Sequence, residues 1–179
     1  MINLVLFSGS NKPKFYNEIK IELEKIGSQL DIDKFHLYYG GGKEGIMSVL
    51  PKSFHGIGGN VSCIDWKNFA EKYGSVSSFH NTIVDTFSER QRKLIEKGDI
   101  YLCLPGGVGT LSEIFDVLVE NDIYHKNKKI LLFSYQNFFH ELNIFLKQKI
   151  EIGFIKKRHL ENIKLFYSSN EIIEYLNHL

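Results

Sequence analysis

Leu104-Pro105-Gly106-Gly107-Val108-Gly109-Thr110-Leu111-Ser112-Glu113 is a glycine-rich turn set between a short apolar run and an amphipathic segment. Gly106, Gly107 and Gly109 let the backbone approach a ligand closely, and the free N–H groups of a following helix point at whatever anion sits there. Ile100 to Leu104 predicts a strand, and Thr110 to about Ile123 predicts a helix. Strand, glycine turn and helix in that order form the repeating unit of a parallel sheet with crossover helices.

The same unit recurs outward from this turn. Ile2 to Phe7 is an apolar run interrupted only at Asn3, as expected of a strand buried on both faces, and it ends at Ser8-Gly9-Ser10-Asn11. Pro13 suits a first helical turn. Phe15, Ile19, Leu23 and Ile26 then recur at helical spacing, with Gly27 where a helix would stop. Phe35 to Tyr39 predicts a second strand, closed by Gly40-Gly41-Gly42, with a short helix from Gly45 to Phe54. Val61 to Ile64 predicts a third strand, whereas residues 65–81 carry no assignable pattern. Ile83 to Lys97 predicts a helix closed by Gly98, Ile130 to Phe133 a strand, Phe138 to Ile150 a helix, and Leu165 to Tyr167 an edge strand. Ser168-x-x-Glu171 has capping-box spacing and opens a last helix through Leu176. The expected fold is α/β and Rossmann-like, a mostly parallel sheet with helices on both faces, in a single domain over residues 1–179. Each glycine-bearing loop follows a strand, so all three should open at the carboxyl edge of the sheet, where phosphates and nucleotides bind.

Composition bounds the partners. Among 179 residues, Lys and Arg total 22 and Asp and Glu 21, a formal net charge of +1 that points away from nucleic acid and membrane surfaces. Cys63 and Cys103 lie in apolar surroundings and read as buried reduced thiols. The N-terminus lacks the basic start and the apolar length of a signal peptide, which predicts a cytoplasmic protein. The seven histidines are scattered without metal-ligand spacing.

The glycine loops spell neither G-x-G-x-x-G nor G-x-x-x-x-G-K-[ST], and a monophosphate fits them better than a dinucleotide or a triphosphate. Ser8, Gly9 and Ser10, Gly41, Gly42 and Gly45, and Gly106, Gly107, Val108, Gly109 and Thr110 are the candidate phosphate and nucleotide contacts. Glu113 has two readings. Thr110-x-x-Glu113 is itself a capping box; with an anion on the helix N-terminus, Glu113 is instead free to face ribose hydroxyls or a water. Arg90 lies among Glu89, Arg92, Lys93 and Glu96, a run whose default reading is a solvated face.

Pro105-Gly106-Gly107-Val108-Gly109-Thr110-Leu111-Ser112-Glu113 resembles the PGGxGTxxE signature of the LONELY GUY family, cytokinin-activating phosphoribohydrolases often labelled lysine decarboxylases. Phe7-Ser8-Gly9-Ser10 resembles the family's first loop, Tyr39-Gly40-Gly41-Gly42-Lys43-Glu44-Gly45-Ile46-Met47 its YGGGxxGLM loop, and Gly153-Phe154-Ile155 its late GFI. The resemblance implies that Arg90 and Glu113 are a catalytic pair, with Gln91 beside the phosphate site. Phe87 stands for the family methionine, Gln91 for a lysine and Val119-Glu120 for Thr-Trp. Phe87 and Val119 are therefore candidate base or ribose contacts, and the resemblance implies a further such contact at Glu71, which falls roughly where family members carry another ligand-contacting glutamate. The implied reaction splits the N-glycosidic bond of AMP or an N6-modified AMP without metal or organic cofactor, in a homodimer or larger oligomer with the site near the subunit boundary. A nucleotide-binding or sensing module without turnover is the alternative, and a carrier of a phosphorylated cofactor such as a pterin ranks third.

Overall fold

The computed structural model describes residues 1–74 and 76–179. Seven strands, β1 (Ile2–Phe7), β2 (Phe35–Tyr39), β3 (Asn60–Trp66), β4 (His80–Val84), β5 (Ile100–Cys103), β6 (Lys129–Phe133) and β7 (Ile163–Phe166), form one sheet in the order β4-β3-β2-β1-β5-β6-β7. Every pairing is parallel. Eight α-helices are described: α1 (Tyr16–Gln29), α2 (Val49–Gly56), α3 (Lys67–Tyr73), α4 (Phe87–Lys97), α5 (Val108–Ile123), α6 (His140–Glu151), α7 (Lys157–Glu161) and α8 (Ser169–Asn177).

The chain steps outward from β1 to β4, returns through α4, and steps outward the other way from β5 to β7. The order thus reverses between β1 and β5, where Leu6 lies beside Leu102 and Phe7 beside Cys103. Loops leaving neighbouring strands on either side of such a reversal diverge and open a crevice at the carboxyl edge. Alternation along β1 sets the two cores. Leu4 and Leu6 pack with Ile19, Leu23 and Ile26 of α1, Leu50 and Phe54 of α2, and Ile172 and Leu176 of α8. Val5 and Phe7 face the opposite layer, with Leu94 and Ile95 of α4 and Ile114, Val117 and Leu118 of α5. The sheet is therefore covered on both faces, as its continuous apolar strands require.

The structure redraws several boundaries. Gly27 does not end α1, which runs on to Gln29. A Cβ there would lie 2.6 Å from the Leu50 carbonyl oxygen and 2.7 Å from the Ser53 Cβ, so the glycine permits close approach of α1 and α2. Ile83 belongs to β4, and α4 begins only at Phe87, capped by Thr86, whose Oγ1 accepts from the Glu89 N–H at 3.1 Å. The unassigned stretch 65–81 holds the end of β3, α3 and the start of β4. The helix expected from Gly45 is a 3-10 turn (Ile46–Ser48) leading into α2, the helix expected from Phe138 is α6, and α7 had no counterpart among the expected elements. The box at α8 forms as its spacing predicts: Ser168 Oγ accepts from the Glu171 N–H and Glu171 Oε2 from the Ser168 N–H, at 3.3 and 3.1 Å.

Gly27→Ala separates helix propensity from packing. In an exposed helix this change would stabilise by roughly 1 kcal/mol. Here the added methyl meets backbone of α2, and the expected outcome in urea unfolding is a net loss of about 1–3 kcal/mol. A gain in stability would contradict the close-approach reading.

Candidate active site

Three loops meet at the carboxyl edge. The Gly9 N–H donates to the Pro105 carbonyl at 3.2 Å, and the Gly9 carbonyl accepts from the Met47 N–H at 3.2 Å, so the β1 loop is bonded to both of the other glycine loops. A Cβ on Gly9 would stand 3.1 Å from the Gly106 Cα, and one on Gly45 (φ +72°) would strike the Ser10 carbonyl oxygen. These contacts explain why small residues were expected here: the loops lie against one another backbone to backbone.

Gly107 caps α5, so Thr110 is the third helical residue and not the N-cap. The capping-box reading of Glu113 therefore fails, because its partner already lies inside the helix. Thr110 is buried with its hydroxyl against Gly106. The N–H groups of the first turn have no intrahelical acceptor, and among the described residues, apart from chain neighbours and the helix's own backbone, no atom lies within 4 Å of where a Cβ would stand at Gly107 or Gly109. Open ground in front of a helix N-terminus is the shape an oxyanion needs. Ser8 Oγ is buried and has no hydrogen-bond partner among the described residues, a costly arrangement unless a ligand supplies one.

Arg90 departs from the charged run around it. Arg92 pairs with Glu96 at 2.8 Å and Lys93 with Glu89 at 3.3 Å in exposed i,i+4 bridges, whereas the Arg90 side chain is 11% exposed. Its Nε donates to the Gly40 carbonyl at 3.0 Å, and its Nη1 lies 3.6 Å from Glu113 Oε1. A Cβ at Gly40 would overlap the guanidinium. Glu113 is 7% exposed. Burial raises its pKa from the ordinary 4.5 to about 7, with Asp116 adding to the rise and Arg90 opposing it by charge and hydrogen bond. A buried carboxyl that titrates near neutrality is fit to exchange a proton with water or substrate.

Beside these loops a cleft of about 580 Å³ is lined by Ser10, Gly42, Lys43, Met47, Phe69 and Glu71, among others. It places Glu71 with the Ser10 and Gly42 loops. Gly41 and Gly42 take positive φ in the loop after β2, and Phe87 lies against the Arg90 guanidinium, 5.8 Å from ring centroid to Cζ. Two candidates go elsewhere. Gln91 turns toward α5, its Nε2 3.5 Å from Asp116 Oδ2, and Val119 lines an apolar recess with Phe115, Leu118 and Ile155 instead of the cleft. Val108, expected at the phosphate, keeps its backbone in the first turn of α5 while its side chain stands 84% exposed. Asp65 had escaped notice: it is 1% exposed at the end of β3, with Oδ1 accepting from the Trp66 N–H at 2.9 Å and its carboxylate against Gly41. An acidic residue directly after the apolar Val61–Ile64 run, at the edge where the glycine loops open, was the available signal.

Cys63 and Cys103 are both free and buried. Among the described residues no three His, Cys, Asp or Glu side chains converge as a metal-ligand set, and no helix is long and apolar enough to cross a membrane.

The model of a family described as "Possible lysine decarboxylase" matches residues 47–176 of the chain. A protein of Oryza sativa subsp. japonica named "Probable cytokinin riboside 5'-monophosphate phosphoribohydrolase" is 28% identical over 179 residues, covering 96% of this chain and 70% of that one. A cytokinin riboside 5'-monophosphate phosphoribohydrolase of Arabidopsis thaliana is 28% identical over 161 residues, covering 86% of this chain and 67% of its own. Among solved structures, the molybdenum cofactor carrier protein from Chlamydomonas reinhardtii aligns with a TM-score of 0.73 at 13% identity, over 99% of this chain and 98% of that one, and shares the fold.

Glu113 gives the site a pH signature. Its folded pKa lies above its unfolded one, so the folded state binds more protons between about 4.5 and 7 and stability falls as pH rises through that interval. Glu113→Gln lacks this slope. Urea unfolding at about pH 5 and about pH 8 should show the wild type losing up to about 3 kcal/mol relative to the variant. Parallel profiles would contradict the buried, proton-holding carboxyl.

Proposed function

This chain belongs to the family described as "Possible lysine decarboxylase", and we propose from its named relatives and its site that it is a hydrolase acting on the N-glycosidic bond of a nucleoside 5′-monophosphate. The products are a free base and ribose 5-phosphate, and AMP or an N6-modified, cytokinin-type AMP is the proposed substrate. The observation that carries the reading is the buried Arg90–Glu113 couple beside the open N-terminus of α5.

Each group suits a separate demand of the reaction. The phosphate is held by the first-turn amides of α5, with Thr110 and the unpartnered Ser8 hydroxyl, and this remote binding energy orients the scissile bond. Cleavage builds positive charge on the ribose ring and negative charge on the departing base. Glu113, titrating near 7, is assigned to stabilise the ring and to activate water as a general base. Arg90 is assigned to steady the anionic side, with its fork held in place by the Gly40 carbonyl.

The enzyme is further proposed to act as at least a homodimer, an assembly that the exposed Val119, Ile123 and Phe154 side chains on its α5 side support. Light scattering should give twice the chain mass or more. A monomer mass would overturn that part of the proposal.

The activity is tested by incubating purified protein with AMP, N6-isopentenyl-AMP and other nucleotides and separating the products by chromatography. Free base should appear with ribose 5-phosphate, and Glu113→Gln should lower kcat by about 10²-fold or more. Tight nucleotide binding without base release on long incubation would instead identify a sensing module, and full activity of Glu113→Gln would remove that residue from the chemistry.

A further inference from the structure

Three aromatic rings stand in a row from the cleft to the catalytic guanidinium. Phe69, on α3, lines the cleft. Its ring centroid is 5.8 Å from that of Trp66 at the end of β3, which is 6.1 Å from that of Phe87, the first residue of α4. Phe87 in turn lies 5.8 Å from the Arg90 guanidinium carbon, one helical turn further along the same face of α4. Phe69 and Phe87 remain 40% and 42% exposed, whereas Phe7, Phe35, Phe54, Phe133 and Phe139 are buried in the two cores. Single exposed aromatics are ordinary, but a contiguous row beside a catalytic couple marks a ligand surface.

The middle ring of the row, Trp66, is held in place. The Trp66 indole N–H donates to the Asp85 carbonyl at 3.1 Å, and its backbone N–H donates to Asp65 Oδ1 at 2.9 Å. β-pairing sets Trp66 opposite Val84. A ring tied by its indole nitrogen and by its strand loses little freedom when a flat ligand settles on it.

Resting on the nucleotide reading above, we propose that Trp66, Phe69 and Phe87 form a stacking platform for the nucleobase. These residues determine specificity: they read the π-face of the base while the phosphate is held at α5 and the glycosidic bond lies toward Arg90 and Glu113. A platform that reads a face and not an edge tolerates different bases and grips larger ring systems more strongly, so purine nucleotides should bind better than pyrimidine nucleotides.

Trp66 is the sole tryptophan of the chain, and its emission reports the contact directly. In Glu113→Gln protein, which holds nucleotide with little turnover, titration with AMP should quench Trp66 fluorescence saturably. CMP should quench only at higher concentration, and ribose 5-phosphate, which has no base, should not quench at all. Phe69→Leu in the otherwise wild-type enzyme should raise KM for AMP about 5- to 100-fold and leave inhibition by ribose 5-phosphate within about twofold, with Phe69→Tyr restoring the wild-type KM. AMP hydrolysed with Trp66 emission unchanged, or KM for AMP and inhibition by ribose 5-phosphate weakened together, would overturn the platform while leaving the hydrolase standing. Saturable quenching by AMP with no base released from any nucleotide would uphold the platform and overturn the hydrolase. Absence of both quenching and base release would overturn the two together.

Discussion

The guanidinium of Arg90 lies across the backbone of Gly40, and this contact decides what the rest of the site can be. No side chain fits at Gly40 while Arg90 holds its carbonyl. The same contact turns one arginine of a charged helix inward, where Glu113 meets it in a nearly dry setting. Taking a cation and an acid out of water together is expensive unless both are bonded on several sides. Here the cost falls largely on the carboxyl, which keeps its proton to about pH 7 and is thereby placed where acid–base chemistry at neutral pH needs it.

The sheet delivers these groups to one place. Gly40 follows β2, Arg90 comes from α4, which recrosses the sheet after β4, and Glu113 comes from α5 directly after β5. They converge because the strand order reverses between β1 and β5, which forces loops from both halves to open on the same crevice. The Arg90–Glu113 couple, the open helix N-terminus and the aromatic row are thus three consequences of one topology: in the proposed reaction the first would supply reacting groups, the second an anion seat, and the third a flat wall.

Strands rich in apolar residues announce themselves: β1, β5 and β6 were legible from nearly continuous apolar runs, and β2 from the aromatic and aliphatic residues of Phe35-His36-Leu37-Tyr38-Tyr39 closed by the glycine loop. β4 was not, since His80-Asn81-Thr82-Ile83-Val84 is an edge strand with only Val84 buried, and a polar edge strand carries neither continuous hydrophobicity nor alternation. Its Ile83 was accordingly drawn into the neighbouring helix. Gly27 misled in a different way, because a glycine that lets two helices touch has the same local sequence as one that ends a helix. The glycine loops and Glu113 could be placed from spacing, but the inward turn of Arg90 among four charged neighbours depends on tertiary contact with Gly40. Trp66 lay in a stretch without periodicity, and for Asp65 the one signal was its place directly after the third strand; the folded chain shows both beside the site.

The central claim is that the couple directs water onto the ribose carbon of a nucleoside monophosphate. Turnover of AMP in oxygen-18 water, with the products analysed by mass spectrometry, tests it most directly. The account predicts one ribose 5-phosphate for every base released, with oxygen-18 on the sugar and none on its phosphoryl group. Label appearing in inorganic phosphate with release of the nucleoside would show attack at phosphorus, and would contradict it.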